Sequence, residues 1–409
     1  MKRSQLFVVC ALASLLSSSA FAQTRTPRPV DRTQLMAWLA GGLSSPRIQR
    51  LLAERGAAFS LDSAYRKQLE GAGADAALIQ ALQKIAHGGA SAPCSQNVSR
   101  AAALAHQKQF DAAEDHLRIA LRSSPDNPDL HFALGELLRD QEEWDAAFDE
   151  FTVAARLAPG FPEVHSRLAY LFYRSDDADN AIAEARTALS IDPANAEAYR
   201  YLGLGLYANG RYSAALHAYE QSLTREPENA DVYYDIGIAQ RDRGELRAAV
   251  VAYRHALRLR PDFWEAHANL GIVYHDLGRL DDALAEYQQA KRLAPEEPSI
   301  RSNLGNTYCD KGEYDAAVAE FKELYRINGG WDGGHTCLAR AYMLKKDYPQ
   351  AVSELRAAVR QNPTGAAEHR VLGQALLLDG KTGDALVELK TAVKLSPDSA
   401  IAHHYLGTA

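Results

Sequence analysis

Cysteine is scarce. The 409-residue chain has four, and Cys10 lies inside an N-terminal apolar run, so that Cys94, Cys309 and Cys337 remain for the folded part. Three is an odd number and too few for a disulfide framework in a chain of this length. Cys309 and Cys337 fall on adjacent helices of the pattern described below, with an axial offset of about 9 Å at 1.5 Å per residue, which disfavours a bridge. No cysteine shows the spacing of a zinc site, so no metal is expected. Positive charge is also short. The formal net charge is −7, and loss of Lys2 and Arg3 makes it more negative, which argues against a nucleic-acid partner. Beyond the N-terminal run no segment stays apolar for the roughly 20 residues that a membrane-spanning helix needs. Strand-like segments are missing, and so are GxSxG, HExxH and a Gly-rich phosphate loop. Neither a catalytic residue nor a cofactor is expected.

What the chain does have is a period of 34 residues. Prolines stand at 125, 159, 193, 227, 261 and 295, then at 363 and 397, with Gly329 in the missing place. Gly135, Gly203, Gly237, Gly271, Gly305 and Gly373 recur in the same phase, with Ala101, Ala169 and Ala339 as substitutes. Ala113, Ala147, Ala181, Ala215, Ala249, Ala283, Ala317, Ala351 and Ala385 form a second row. Glycine inside a helix costs about 1 kcal/mol against alanine, so its recurrence requires a gain. Close approach of small residues on two paired helices would supply one. Each proline ends a second helix, since it lacks the amide donor and clashes with a continuing turn.

The stretch Asp262 to Pro295 carries this pattern most fully, in Leu270-Gly271, Tyr274, Ala283, Tyr287, Ala290 and Pro295. It resembles a tetratricopeptide repeat. The resemblance covers residues 97–409 and implies an all-α fold, a solenoid of tandem helical hairpins wound as a right-handed superhelix. No hairpin buries its apolar face alone, so stability comes from stacking.

The N-terminus reads differently. Lys2 and Arg3, the apolar run Leu6 to Leu16 and Ala20-Phe21-Ala22 have the form of a signal peptide cleaved after Ala22, which predicts a periplasmic or secreted protein. Residues 23–31 read as a flexible lead and 32–86 as a small helical module, with stripes Leu35, Met36, Leu39 and Ile48, Leu51, Leu52, a start at Ser45-Pro46 and a stop at Gly56. A Gly-, Ser- and Ala-containing linker spans 87–96. Nine repeats occupy 97–397, the first degenerate, with Arg100 where later repeats carry an apolar residue. Asn328 to Gly334 holds four glycines, predicting a changed turn or joint. Residues 398–409 form a capping helix or half repeat, with Ile401, Tyr405 and Leu406 on its packing side.

Of the 13 histidines, His165, His267, His335, His369 and His403 share one packing slot of the repeat. His403-His404 reads as helix surface. At 100° per residue, the side of each first helix away from the packing positions carries Arg139; Arg167, Tyr170, Tyr173 and Arg174; Arg200, Tyr201 and Tyr207; Tyr234, Asp235 and Arg241; Asn269 and His275; and Asn303 and Asn306. In the family that this chain resembles, such residues line a concave groove. Tyrosine and arginine dominate binding hot spots, so the groove is predicted to hold a partner protein or extended peptide, an envelope-assembly component among the candidates. Asp129, Glu163, Glu197, Asp231 and Glu265 form an acidic row in the first turns, where they complement the helix dipoles. Asn269 and Asn303 resemble two rungs of the asparagine ladder in the repeat region of O-linked N-acetylglucosamine transferases, whose catalytic domain is absent here. Two other readings stand beside the scaffold: the regulatory or substrate-recruiting arm of an enzyme such as a glycosyltransferase, and a glycan-binding groove.

Overall fold

The computed structural model describes residues 29–86, 94–327 and 334–409. The expected signal peptide, most of the lead, most of the linker and the glycine cluster up to Gly333 lie outside the described residues. Among those described, every regular element is a helix, and the chain forms two compact units divided between Pro159 and Gly160.

In the first unit, α1 (Arg32–Ala40), α2 (Ser45–Arg55), α3 (Ser63–Gly71) and α4 (Ala76–Ile85) precede two hairpins. These are α5 (Gln96–His106) with α6 (Phe110–Ser123), and α7 (Pro128–Asp140) with α8 (Trp144–Leu157). Asp31, Asp62 and Asp75 cap α1, α3 and α4 by accepting from the amides of Gln34, Tyr65 and Leu78, each cap worth about 1 kcal/mol. The flexible lead does not extend to its predicted end. Val30 is fully buried and its backbone pairs with Gly56 and Ala58. In α1 Leu35 and Met36 are buried, but Trp38 rather than Leu39 completes the stripe. That helix packs on α5 and α7. There the Trp38 indole donates to Asp129 at 2.8 Å, with Gln34 donating to the same carboxylate at 3.0 Å. Asp129 is thus a buried acceptor between helices as well as a first-turn charge. Arg100 is exposed.

The second unit continues the hairpins. They are α9 (Pro162–Arg174) with α10 (Ala178–Ile191), α11 (Ala196–Ala208) with α12 (Tyr212–Arg225), and α13 (Ala230–Asp242) with α14 (Leu246–Leu259). Next come α15 (Trp264–Asp276) with α16 (Leu280–Leu293) and α17 (Pro298–Lys311) with α18 (Tyr314–Ile327). The last pairs are α19 (Gly334–Leu344) with α20 (Tyr348–Gln361) and α21 (Ala366–Leu378) with α22 (Thr382–Leu395), followed by α23 (Ala400–Thr408).

The recurring glycine serves a purpose different from the one expected. A Cβ on Gly237 would stand 2.6 Å from the Tyr253 ring, and one on Gly271 would stand 2.6 Å from the Tyr287 ring. Gly135, Gly203 and Gly305 face Phe151, Tyr219 and Phe321 in the same way, and Gly373 faces Leu389. The glycine therefore makes room for a large side chain sixteen residues later, rather than for a small one. Those rings are among the largest fully buried groups in the chain. The alanine row is fully buried beside them.

Each hairpin turn passes through one residue with positive φ: Lys108, Glu142, Asp176, Gly210, Gly244, Gly278, Gly312, Lys346 and Gly380. They also recur every 34 residues. Four are not glycine, and left-handed backbone costs an L-residue about 1 kcal/mol or more. Glu142→Gly and Lys346→Gly are each expected to raise stability by about 1 kcal/mol, measured as the shift in urea midpoint; an unchanged or lower midpoint in both would refute this account. The prolines lie two residues beyond the second helices, and each excludes its predecessor from helical backbone.

At the C-terminus α23 packs through Ala402, Tyr405 and Leu406. Ile401, expected on that side, is 56% exposed. Residues 402, 405, 406 and 409 make the i, i+3, i+4, i+7 stripe, and Ile401 falls beside it, in the slot that the acidic row occupies earlier.

Candidate functional site

The residues singled out on the first helices are tied across neighbouring repeats. In the second unit Arg200 Nε on α11 donates to Asp235 Oδ2 on α13 at 2.6 Å. The Tyr207 hydroxyl donates to Asp242. Asn269 Nδ2 on α15 donates back to the Tyr234 hydroxyl at 2.9 Å, and Arg241 donates to Asn269 Oδ1 at 2.8 Å. His275 Nε2 lies 2.9 Å from Asp310, and Arg340 on α19 donates to Asn306 at 3.1 Å. Most of these pairs are 35 residues apart, one repeat plus one step. First helices lying side by side bring such residues opposite each other.

Burial separates the set into two groups. Tyr201, Arg167 and Asp235 are at most 8% exposed. Tyr201 belongs to the hydrophobic core around α11 and α12, and its hydroxyl donates to Glu197 at 2.9 Å. Arg167 pairs with that same glutamate. Helical angle alone places Tyr201 off the packing face, whereas the neighbouring first helix covers it: the Tyr170 ring on α9 lies 5.3 Å from it. The second group is accessible. Tyr170, Tyr173, Tyr207 and Tyr234 are half-buried, and Arg174 is exposed. Among the described residues the structure gives no hydrogen bond to the hydroxyls of Tyr170 and Tyr173 or to the side chain of Asn303. In the first unit Arg139 pairs with Glu136 and Asp140, both at 2.8 Å.

Burial dominates the electrostatics. It pushes the Tyr234 phenol up to about 12, with Glu265 and Asp235 adding and Arg241 and Asn269 opposing. Burial likewise raises Tyr173 and holds the Asp235 carboxyl above the usual range, against the pull of Arg200. Tyr173 and Tyr234 therefore stay neutral phenols, and the Arg200 bond works against the burial of Asp235. Beside Tyr234, at a ring distance of 5.9 Å, the Tyr253 hydroxyl is fully buried with no hydrogen-bond partner among the described residues. The acidic row is drawn into the same network: Asp231 pairs with Arg260 at 2.7 Å and lies 3.9 Å from Arg200.

Cys94, Cys309 and Cys337 are free thiols, each raised by burial. Among the described residues no group of three His, Cys, Asp or Glu side chains could hold a metal ion. No helix among them is long and apolar enough to cross a membrane.

Helical angle in the sequence finds the face but not the partners. The signal for the partners is the 35-residue pairing of opposite or complementary polar types, as in Arg200 with Asp235 and Tyr207 with Asp242. Likewise the large residue sixteen places after each glycine is visible in the sequence.

The tetratricopeptide repeat family matches residues 100–162, 166–231, 202–253, 234–298 and 338–400, and a second profile of the same name matches 299–328. Comparison with curated proteins gives no match. Among solved structures, the APC/C hetero-tetramer Cut9-Hcn1 is 17% identical with a TM-score of 0.49, covering 91% of this chain and 68% of its own. YrrB, described as a TPR protein with an unusual peptide-binding site, is 20% identical with a TM-score of 0.41, covering 46% of this chain and 97% of its own. PilF of Pseudomonas aeruginosa is 20% identical with a TM-score of 0.45, covering 51% of this chain and 94% of its own.

Proposed function

Because the chain belongs to the tetratricopeptide repeat family, we propose that it is a non-enzymatic interaction scaffold that holds a partner protein or extended peptide on its first helices, in the periplasm or outside the cell. The observation that carries the reading is the row of half-buried tyrosines, Tyr170, Tyr173, Tyr207 and Tyr234, on helices cross-tied by partly buried polar pairs. Such a face offers large aromatic area whose ordering cost was met on folding. Its phenols present polar tips, and those of Tyr170 and Tyr173 are unengaged among the described residues. The arginines contribute mainly by fixing the face, since Arg167, Arg200 and Arg241 already have acceptors. The placement outside the cytoplasm rests on the N-terminal sequence.

The test begins with capture from an envelope extract and identification of what is retained, followed by affinity measurement with that partner. Tyr170→Ala combined with Tyr173→Ala is expected to weaken binding at least tenfold, since truncating a hot-spot residue costs about 2 kcal/mol. Val251→Ala, at an exposed site on α14, should leave affinity unchanged. Equal affinity of the tyrosine variant and the native chain would reject this face as the site. The exported protein should begin at Gln23 by intact mass; retention of residues 1–22 would reject the cleavage.

A further inference from the structure

One slot in the repeat is filled by histidine with unusual regularity. His131, His165, His267, His335 and His369 each set Nδ1 within 2.5–2.7 Å of a glutamate nineteen residues later, Glu150, Glu184, Glu286, Glu354 and Glu388. The glutamate is on the second helix of the same hairpin. The other ring nitrogen faces the carbonyl of the proline six residues earlier: His131 to Pro125 at 2.8 Å, His267 to Pro261 at 3.2 Å and His369 to Pro363 at 3.0 Å. His403 makes the same contact with Pro397 at 2.9 Å. A carbonyl only accepts, and so does a carboxylate. A neutral imidazole has one N–H, so it can satisfy only one of the two and turns a lone pair toward the other.

The seventh repeat shows what the slot requires. Arg301 stands there, donating to Glu320 at 3.0 Å and to the Pro295 carbonyl at 3.1 Å. A permanent cation makes both bonds that histidine makes only when both ring nitrogens carry protons. In the fourth repeat, where Tyr199 fills the slot, Arg225 lies 4.2 Å over its ring and donates to the Pro193 carbonyl at 3.0 Å.

We propose that the His131–Glu150 pair makes the hairpin of α7 and α8 a proton-linked structure, which is tied to its incoming turn by an imidazolium and loosens as that proton leaves. The positioning groups are His131 and Glu150. Other groups face the rings as well: Arg156 on α8 acts on His131 and opposes its charge, and the Tyr325 ring on α18 lies 4.8 Å from His335. Arg292, Arg360 and Lys394 occupy the register position of Arg156 in the hairpins of His267, His335 and His369. For His131 the Glu150 bond and the Pro125 carbonyl raise the imidazolium above the ordinary histidine range, outweighing burial and Arg156. A raised folded value gives stability that is fully present below the unfolded value near 6.5 and is lost as pH rises through the folded one. The hairpin of α7 and α8 is therefore firmest on the acid side of neutrality.

The experiment follows thermal unfolding of the full chain between about pH 6 and about pH 8.5, the range in which histidine titrates. The native midpoint is expected to fall across that range. His131→Arg, copying Arg301, should lessen the fall and raise the alkaline midpoint toward the native acid one. Glu150→Gln should also flatten the slope, but at the lower midpoint. A His131→Arg protein with the native slope would overturn the proposal. Should that variant fail to fold, the ring ¹⁵N shifts of His131 in the native chain near pH 7 decide: two protonated nitrogens support the proposal, and neutral-tautomer shifts refute it.

Discussion

Gly271→Ala is expected to destabilise the second unit by about 2 kcal/mol, in the opposite direction to helix propensity. In a free helix the exchange gains about 1 kcal/mol. Here the new methyl group would stand 2.6 Å from the Tyr287 Cε1 and 2.7 Å from its Cδ1. That ring is 2% exposed and has no space to retreat. Overpacking of this kind costs about 1–3 kcal/mol, with strain added to neighbouring rotamers. Gly383→Ala is the matched control, since it lies in the first turn of α22 and its new methyl group would meet nothing within 4 Å. Thermal melts should show the first variant below and the second at or above the native midpoint. A Gly271→Ala protein as stable as native would mean that the ring does not fix this glycine.

Arg200→Ala is expected to cost about 3 kcal/mol of stability, as does breaking a buried ion pair from one side. Asp235 is 5% exposed and would lose the 2.6 Å bond from Arg200. The Arg200 side chain is 25% exposed, which keeps the expectation at the low end of the range for such pairs. Replacing both, as Arg200→Met with Asp235→Leu, should recover most of the loss, because no uncompensated carboxylate remains. Urea unfolding of the two single variants and the double completes the cycle. Equal losses for Arg200→Ala and the double would show that the loss does not come from an uncompensated Asp235 carboxylate. Helical angle alone puts Arg200 on the side of α11 away from the packing positions, and gives no sign of this cost.

The difference shows where sequence reasoning holds and where it stops. Repeats are legible because their constraints act at fixed spacing: the proline after each second helix, the glycine under each ring and the buried alanine row need only one chain to be seen. Direction on a helix is legible too, so Tyr170, Tyr173 and Tyr234 fall by angle on a face that the structure leaves partly open. Their neighbours depend on a second helix. Whether Tyr201 is covered is decided by Tyr170 on the adjacent repeat, and whether Arg200 is available is decided by Asp235. Such partners follow from lateral stacking rather than from angle. Trp38 illustrates the same limit, since its indole N–H finds its acceptor on another helix, in Asp129.

The cross-repeat bonds also have a direction. Arg200 and Tyr207 on α11 donate forward to α13, while Asn269 on α15 donates back to Tyr234 and accepts from Arg241, both on α13. The hydrogen bonds converge on α13, which is gripped from both neighbours. Under a pull along the chain, load would pass through these short polar links before it reached the packed rings. The second unit is therefore braced at intervals along its length, at the helix that carries Tyr234 and again at α17, which His275 and Arg340 engage from either side.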